Sequence, residues 1–339
     1  MGRLSFKNPI GDAVSRVRFA PRSNHLLVSS WDSSLRLYDV DGALLRLEAA
    51  SDAALLDCCF RDDSEALSAA SNGAIERHDL HSGTKDIVGS HDDLATCVEY
   101  SHEVSQVISS GFDKKLISWD MRSANTAVCV THTEKDVESM SISGHDLTVA
   151  AGASIYIYDL RNMRTTIQAN GLLKEVQIRC LTSIPYCRGY AVGSVDGRVA
   201  LNILDQSKFE GTGYAFRCHP KTKDGTKYFV TVNDIVFNPV ISGNFVTGNN
   251  DGYVTIWNAH SRRRLFEFPR YPNSVASLSY NHTGNLLAVA ASYTYQEANE
   301  LEAHPQIFVE EVDNSYAGSS SALSLNGKRL NHADEGCSN

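Results

Sequence analysis

Along the chain one pattern of apolar and polar positions recurs. It runs through an apolar strand, a turn, a strand of small residues, a tight turn, then a strand closing on an aromatic residue and Asp. The closing pairs are Tyr38-Asp39, His78-Asp79, Trp119-Asp120, Tyr158-Asp159 and Trp257-Asn258, with Asn202-Ile203 and Glu310-Glu311 as degenerate versions. Their second members are separated by 40, 41, 39, 44, 55 and 53 residues. A blade of four strands needs about 40–45 residues. The pattern therefore predicts an all-β fold, a seven-bladed β-propeller with blades ending near Asp39, Asp79, Asp120, Asp159, Ile203, Asn258 and Glu311. The surplus in the last two intervals predicts loop insertions near Lys208–Tyr228 and Tyr293–Pro305.

A second marker fixes the register. Asp or Asn stands six positions before the closing aromatic: Asp32 before Tyr38, Asn72 before His78, Asp113 before Trp119 and Asp251 before Trp257, with Asp196 in the same relation to Asn202. These residues fall between the second and third strands, where Asp-Gly and Asn-Gly favour tight hairpins. In WD-type blades such an Asp also ties its turn to a preceding His and to the strand aromatic. Blade three alone keeps the whole set, as His91, Asp113 and Trp119, and a structural role is expected for it.

Seven blades ending at Glu311 lack one outer strand. Arg3-Leu4-Ser5-Phe6-Lys7 resembles the outer strand of blade six, Arg264-Leu265-Phe266-Glu267-Phe268. The N-terminal segment is therefore expected to complete blade seven and close the ring, leaving no open sheet edge at the seam. Residues 1–314 are expected to form the propeller. Residues 315–339, rich in Ser, Asn and Gly, are expected to be a disordered tail.

Composition narrows the function. The chain is 42% hydrophobic and 21% charged, which suits a soluble protein with a large core. Its net charge of −9 argues against general nucleic-acid binding, which needs a basic footprint. No apolar run approaches the roughly 18–20 residues of a membrane span. The start, Met1-Gly2-Arg3-Leu4, leads into alternating residues and predicts no signal peptide. Eight cysteines without a Cys-x-x-Cys pair predict buried thiols in a reducing compartment, not a disulfide framework or a metal site. No nucleophile elbow, phosphate loop or dinucleotide fingerprint occurs, so neither catalysis nor a cofactor is expected.

A propeller instead presents side chains on two faces of a rigid ring. The residue before the turn Asp is Trp31 in blade one and Phe112 in blade three. Burying such an aromatic stabilises by about 1.5–3 kcal/mol, so each either anchors a partner or tucks between blades. Arg179, Arg198 and Arg217 fall near the same rim. Arg217, Lys221, Lys223 and Lys227 oppose only Asp224, a local basic patch on an acidic protein. It is either a solvated insertion loop or a grip for carboxylate or phosphate.

Longer strings add a resemblance. They include Leu-Leu-Val-Ser-Ser-Trp-Asp (26–32), Tyr-Asp-Leu-Arg-Asn-Met (158–163), Gly-Arg-Val-Ala (197–200) and Tyr-Ala-Phe-Arg-Cys-His (214–219). Arg-Tyr-Pro-Asn-Ser-Val-Ala-Ser-Leu (270–278) and Leu-Leu-Ala-Val-Ala-Ala-Ser-Tyr-Thr-Tyr (286–295) extend it over nearly the whole chain. By these the chain resembles the spindle-checkpoint WD-repeat family, that of the third "budding uninhibited by benzimidazole" protein. Phe112 stands where that family usually has a second Trp, Asn72 replaces a turn Asp, and Pro220 replaces a basic residue. These departures mark a divergent, plant-type member.

The resemblance implies a monomeric kinetochore adaptor, nuclear and at kinetochores in mitosis and also cytoplasmic. Its implied partners are a short acidic motif called GLEBS in checkpoint kinases and a phosphorylated Met-Glu-Leu-Thr motif in a kinetochore scaffold. Trp31, Phe112, Arg179 and Arg198 would belong to the peptide-binding face, and Arg217 would meet the phosphate. Two alternatives remain. One is the related mRNA-export propeller, which binds GLEBS motifs of nuclear-pore proteins. The other is a substrate receptor of a cullin-type ubiquitin ligase, suggested by Trp119-Asp120-Met121-Arg122 and the similar Tyr158-Asp159-Leu160-Arg161.

Overall fold

The computed structural model of the protein describes residues 3–5, 9–122, 126–169, 173, 175–204, 213–218, 221–223, 226–294 and 304–312. These form seven four-stranded antiparallel sheets and one two-stranded hairpin. Blade one comprises Val14–Phe19, His25–Ser30, Ser34–Asp39 and Leu44–Ala50, paired in chain order. Blades two to six repeat the arrangement from Leu55–Phe60, Ala95–Ser101, Val137–Ser143, Ile178–Ser183 and Val232–Phe237. These first strands, with Val275–Tyr280 of blade seven, touch one another around a closed ring.

Blade seven takes its fourth strand from the N-terminus. Arg3–Ser5 pairs antiparallel with Gln306–Glu311, Leu4 facing Val309. Phe6 and Lys7, also expected in this strand, lie outside the described residues, as does the segment 315–339. The seam is held further inward as well. Val14 N–H donates to Ser292 Oγ at 3.0 Å, and the Tyr293 hydroxyl to Asp12 Oδ1 at 2.7 Å. The insertion expected near Lys208–Tyr228 contains the hairpin Lys221–Lys223 with Thr226–Tyr228. Most of the one expected near Tyr293–Pro305 lies outside the described residues.

Burial follows strand order. Second strands, such as His25–Ser30 and Glu65–Ala70, are buried from their second residue onward because a neighbouring blade covers each sheet face. Small residues suit this position, since Ser and Ala leave room for larger side chains such as Leu37 and Leu55 between blades. The outer strand Leu44–Ala50 has one face in solvent, and its burial alternates. Seven of the cysteines are free; six are buried and Cys129 is half-buried, while Cys337 lies outside the described residues. Burial pushes the Cys58 thiol up to about 12, which makes it a poor nucleophile.

One irregularity repeats in every blade. Each first strand carries a β-bulge at the same place, where Ser15, Leu56, Thr96, Glu138, Arg179, Asn233 and Ala276 are skipped by the pairing. A bulge re-aims the side chain it frees. The next residue (Arg16, Asp57, Cys97, Ser139, Cys180, Asp234 or Ser277) bonds between blades wherever it offers an oxygen. Val98 N–H donates to Asp57, Leu181 N–H to Ser139, Leu278 N–H to Asp234 and Val17 N–H to Ser277. Blades one, three and five present Arg16, Cys97 and Cys180 instead. Asp57 and Asp234 also accept within their own strands, from Cys58 N–H and Ile235 N–H.

Candidate peptide-binding face

Blade three contains a directional chain of hydrogen bonds. Trp119 Nε1 donates to Ser109 Oγ at 2.7 Å, Ser109 Oγ lies 2.7 Å from His91 Nε2, and His91 Nδ1 lies 3.0 Å from Asp113. Burial, opposed by the Asp113 carboxylate, holds His91 below the ordinary imidazole range. A neutral ring accepts at Nε2 from Ser109 and donates at Nδ1 to Asp113, so every member is satisfied. Asp113 also accepts from the amides of Asp92 and Lys115. Ser109 was not among the residues the sequence singled out, because a buried serine in a small-residue strand has no distinguishing neighbour.

The other turns use different chemistry. Asp32 accepts from Gly11 N–H and pairs with Arg36 at 2.7 Å. Among the described residues, the Asn72 side chain holds only Ala74 N–H. In blade six the amides of Asp251 and Tyr253 are held by Asn249 Oδ1, two positions before the expected residue. Trp257 Nε1 donates to Thr247 Oγ1 at 2.9 Å. Blade two has Ser68 Oγ 2.8 Å from His78 Nε2, with Glu76 buried beside them. Burial alone would raise Glu76, yet bonds from His78, Ser51 and Lys85 bring it down to about 2.

On the face carrying these turns, the channel opens into a mouth of about 370 Å³. All seven bulge residues line it, together with Trp31, Phe112, Tyr293 and Thr294. Trp31 is 39% exposed and Phe112 46%, so neither tucks between blades. The bulge ring carries one cation and one anion. Glu138 is engaged by Gln177 Nε2 at 2.8 Å. Arg179 has no ion-pair partner among the described residues, and its buried Nε has no hydrogen-bond acceptor. Asn233 Oδ1, on the next blade, is likewise buried without a donor. The sequence marked Trp31, Phe112 and Arg179 separately, and the closed ring brings them to one opening. Glu138, Asn233 and Tyr293 were missed, because their place depends on bulge positions and on the seam.

Arg198 and Arg217 do not line the mouth. They lie farther out on the same edge of blade five, on its third and fourth strands, directly opposite one another in the pairing. Both face Asp196: Arg198 Nε at 2.7 Å and Arg217 Nη2 at 3.9 Å. Blade five thus presents a spoke of three arginines running outward from the channel. The Asp-x-Arg segments lie on the opposite face, where Arg122 and Arg161 each fold back on Asp120 and Asp159. Among the described residues no cluster of His, Cys, Asp and Glu is placed to hold a metal.

The family model described as WD domain, G-beta repeat matches residues 4–39. Mitotic checkpoint protein BUB3.3 of Arabidopsis thaliana is 54% identical over 307 residues, covering 91% of this chain and 98% of that protein. The chain belongs to the BUB3 family of mitotic checkpoint proteins. A second BUB3-family relative, BUB3.1 of the same plant, is 42% identical, with 90% and 92% covered. The solved WD40 repeats of RRP9 superpose with a TM-score of 0.79 at 14% identity, covering 91% of this chain and 97% of that one. That likeness concerns the propeller fold alone.

Proposed function

We propose that this BUB3-family propeller is a non-catalytic adaptor of the spindle assembly checkpoint, working in the nucleus and at kinetochores in mitosis. Its mouth holds an acidic GLEBS-type segment of a checkpoint kinase. The observation that carries this reading is Arg179, a cation without an ion-pair partner among the described residues, in a mouth framed by two exposed aromatics. A carboxylate entering there accepts from the free guanidinium edge, and Asn233 Oδ1 takes a peptide N–H. Trp31 and Phe112 cover the apolar flanks of the segment and exclude water, which strengthens the charge-assisted bonds. Arg198 extends the positive edge outward. Arg217, at its end, takes the phosphate of a phosphorylated kinetochore-scaffold motif.

Titration of a GLEBS peptide tests the reading. Truncating one side of a buried interfacial charge pair costs about 2–5 kcal/mol, and reversal is worse. Arg179→Glu is therefore expected to weaken binding by at least about 30-fold, with little change in melting temperature because Arg179 holds no other described residue. Binding of parental strength by that variant would remove the mouth as the acidic-peptide site.

A further inference from the structure

We propose that Phe229 is a positioning residue for Arg217, fixing the guanidinium in the plane from which it meets a phosphate. The inference rests on the assignment of Arg217 to the phosphopeptide. It adds a residue that no sequence motif marked, and it makes phosphate selectivity depend on an aromatic ring twelve positions along the chain.

Phe229 is a large apolar side chain left 55% exposed, and the Arg217 guanidinium lies over its ring with Cζ 4.2 Å from the centroid. A guanidinium stacked on a ring keeps its in-plane N–H donors free at the edge. Arg217 Nη2 lies 3.9 Å from Asp196, a carboxylate already gripped more closely by Arg198. Among the described residues, Arg217 is thus held by a ring on its face and only loosely by a charge at its edge. That leaves donors for a second, stronger acceptor. A dianionic phosphate is such an acceptor, and Arg198 across the strand pair supplies further positive charge.

The backbone explains how Phe229 comes to be there. Gly197 has a φ of 77°, and a Cβ at this position would fall 2.7 Å from the carbonyl oxygen of Val230. Only glycine lets the segment pass so close to the Asp196-Gly197 turn. The Thr231 hydroxyl donates to Val195 O at 3.0 Å, and Asn250 N–H donates to Thr231 O at 3.1 Å. The segment leading into blade six is therefore pinned across the tip of blade five. Phe229, immediately before it, is delivered beneath Arg217, which the strand pairing has placed opposite Arg198. Preorganisation of this kind lowers the ordering cost of binding.

A double-mutant cycle distinguishes positioning from direct contact. The probes are a peptide carrying the Met-Glu-Leu-Thr motif and the same peptide phosphorylated on Thr, titrated against the full chain. An exposed cation–π contact corresponds to about a three- to fivefold effect. Phe229→Ala is expected to lower the preference for the phosphorylated peptide by that factor, with an unchanged melting temperature and unchanged GLEBS binding. Phe229→Tyr should restore the preference. In the Arg217→Ala background, Phe229→Ala should have no further effect. An equal loss in both backgrounds would mean that the ring touches the peptide on its own account, overturning the inference. Full preference in Phe229→Ala, with the preference still lost in Arg217→Ala, would overturn the inference alone. Absence of any preference in the parent, or its survival in Arg217→Ala, would overturn the assignment of Arg217 and this inference with it.

Discussion

Arg16 Nε donates to Asp57 Oδ1 at 2.9 Å, joining the first strands of blades one and two inside the channel. The same guanidinium lies 3.5 Å from Asp234 of blade six, so one cation serves two carboxylates. Each of those Asp residues also accepts amides from its own strand and from the next blade. Nearby, Arg18 and Glu99 pair at 2.6 Å. Of these charges Arg16 also lines the mouth that Arg179 faces.

Removing Asp57 should therefore do more than break an ion pair. Breaking a buried pair from one side costs about 3–5 kcal/mol, and Cys58 and Val98 would lose their acceptor as well. Asp57→Ala is expected to lower unfolding stability by at least that much in urea titration, and Asp57→Asn by less, since one acceptor oxygen remains. Equal stability of Asp57→Ala and parent would show that water replaces the carboxylate in the channel.

Asp113→Ala should leave His91 Nδ1 and the amides of Asp92 and Lys115 unpaired. A buried polar group without a partner costs about 1–3 kcal/mol. The expected result is a lower unfolding free energy with GLEBS affinity preserved. Lost binding at normal stability would place Asp113 in the interface instead.

Stability should depend on pH through His91. Its folded value lies below the unfolded one because burial disfavours the charged ring. The unfolded state therefore binds more protons as pH falls below about 6.5, and the stability that the neutral ring contributes is lost in that window. Thermal melts between pH 7.5 and 5.5 should fall more steeply for the parent than for His91→Gln. Parallel slopes would mean that His91 does not titrate between the two states.

The seam can be opened without touching any residue around the mouth. A chain beginning at Pro9 keeps buried Ile10 and the Gly11 amide on Asp32, but removes the strand paired with Gln306–Glu311. Loss of this pairing exposes a sheet edge. Such a chain is expected to melt several degrees lower and to associate on concentration, as light scattering would reveal. A monodisperse chain with the parental melting temperature would show that the closing strand is dispensable.

The sequence by itself determined the blades, because their signals are local. Alternation within strands, the closing aromatic and the turn Asp or Asn each lie within a few residues of what they specify. The same locality made the blade-three set legible as His91, Asp113 and Trp119, though not Ser109. Trp31 and Phe112 were legible as turn-tip aromatics, but whether they were exposed or tucked between blades was not.

Only the tertiary structure decided what shares the mouth. Thr96, Glu138, Arg179 and Asn233 occupy one ring because each first strand skips a residue against its second, a consequence of pairing that no spacing displays. The partnership of Arg217 with Phe229 likewise depends on a segment drawn across Gly197 by contacts with a neighbouring blade. Short-range periodicity fixes strands and turns, whereas closure of the ring brings side chains from distant blades to a common opening, and that juxtaposition exists only once all seven blades have packed.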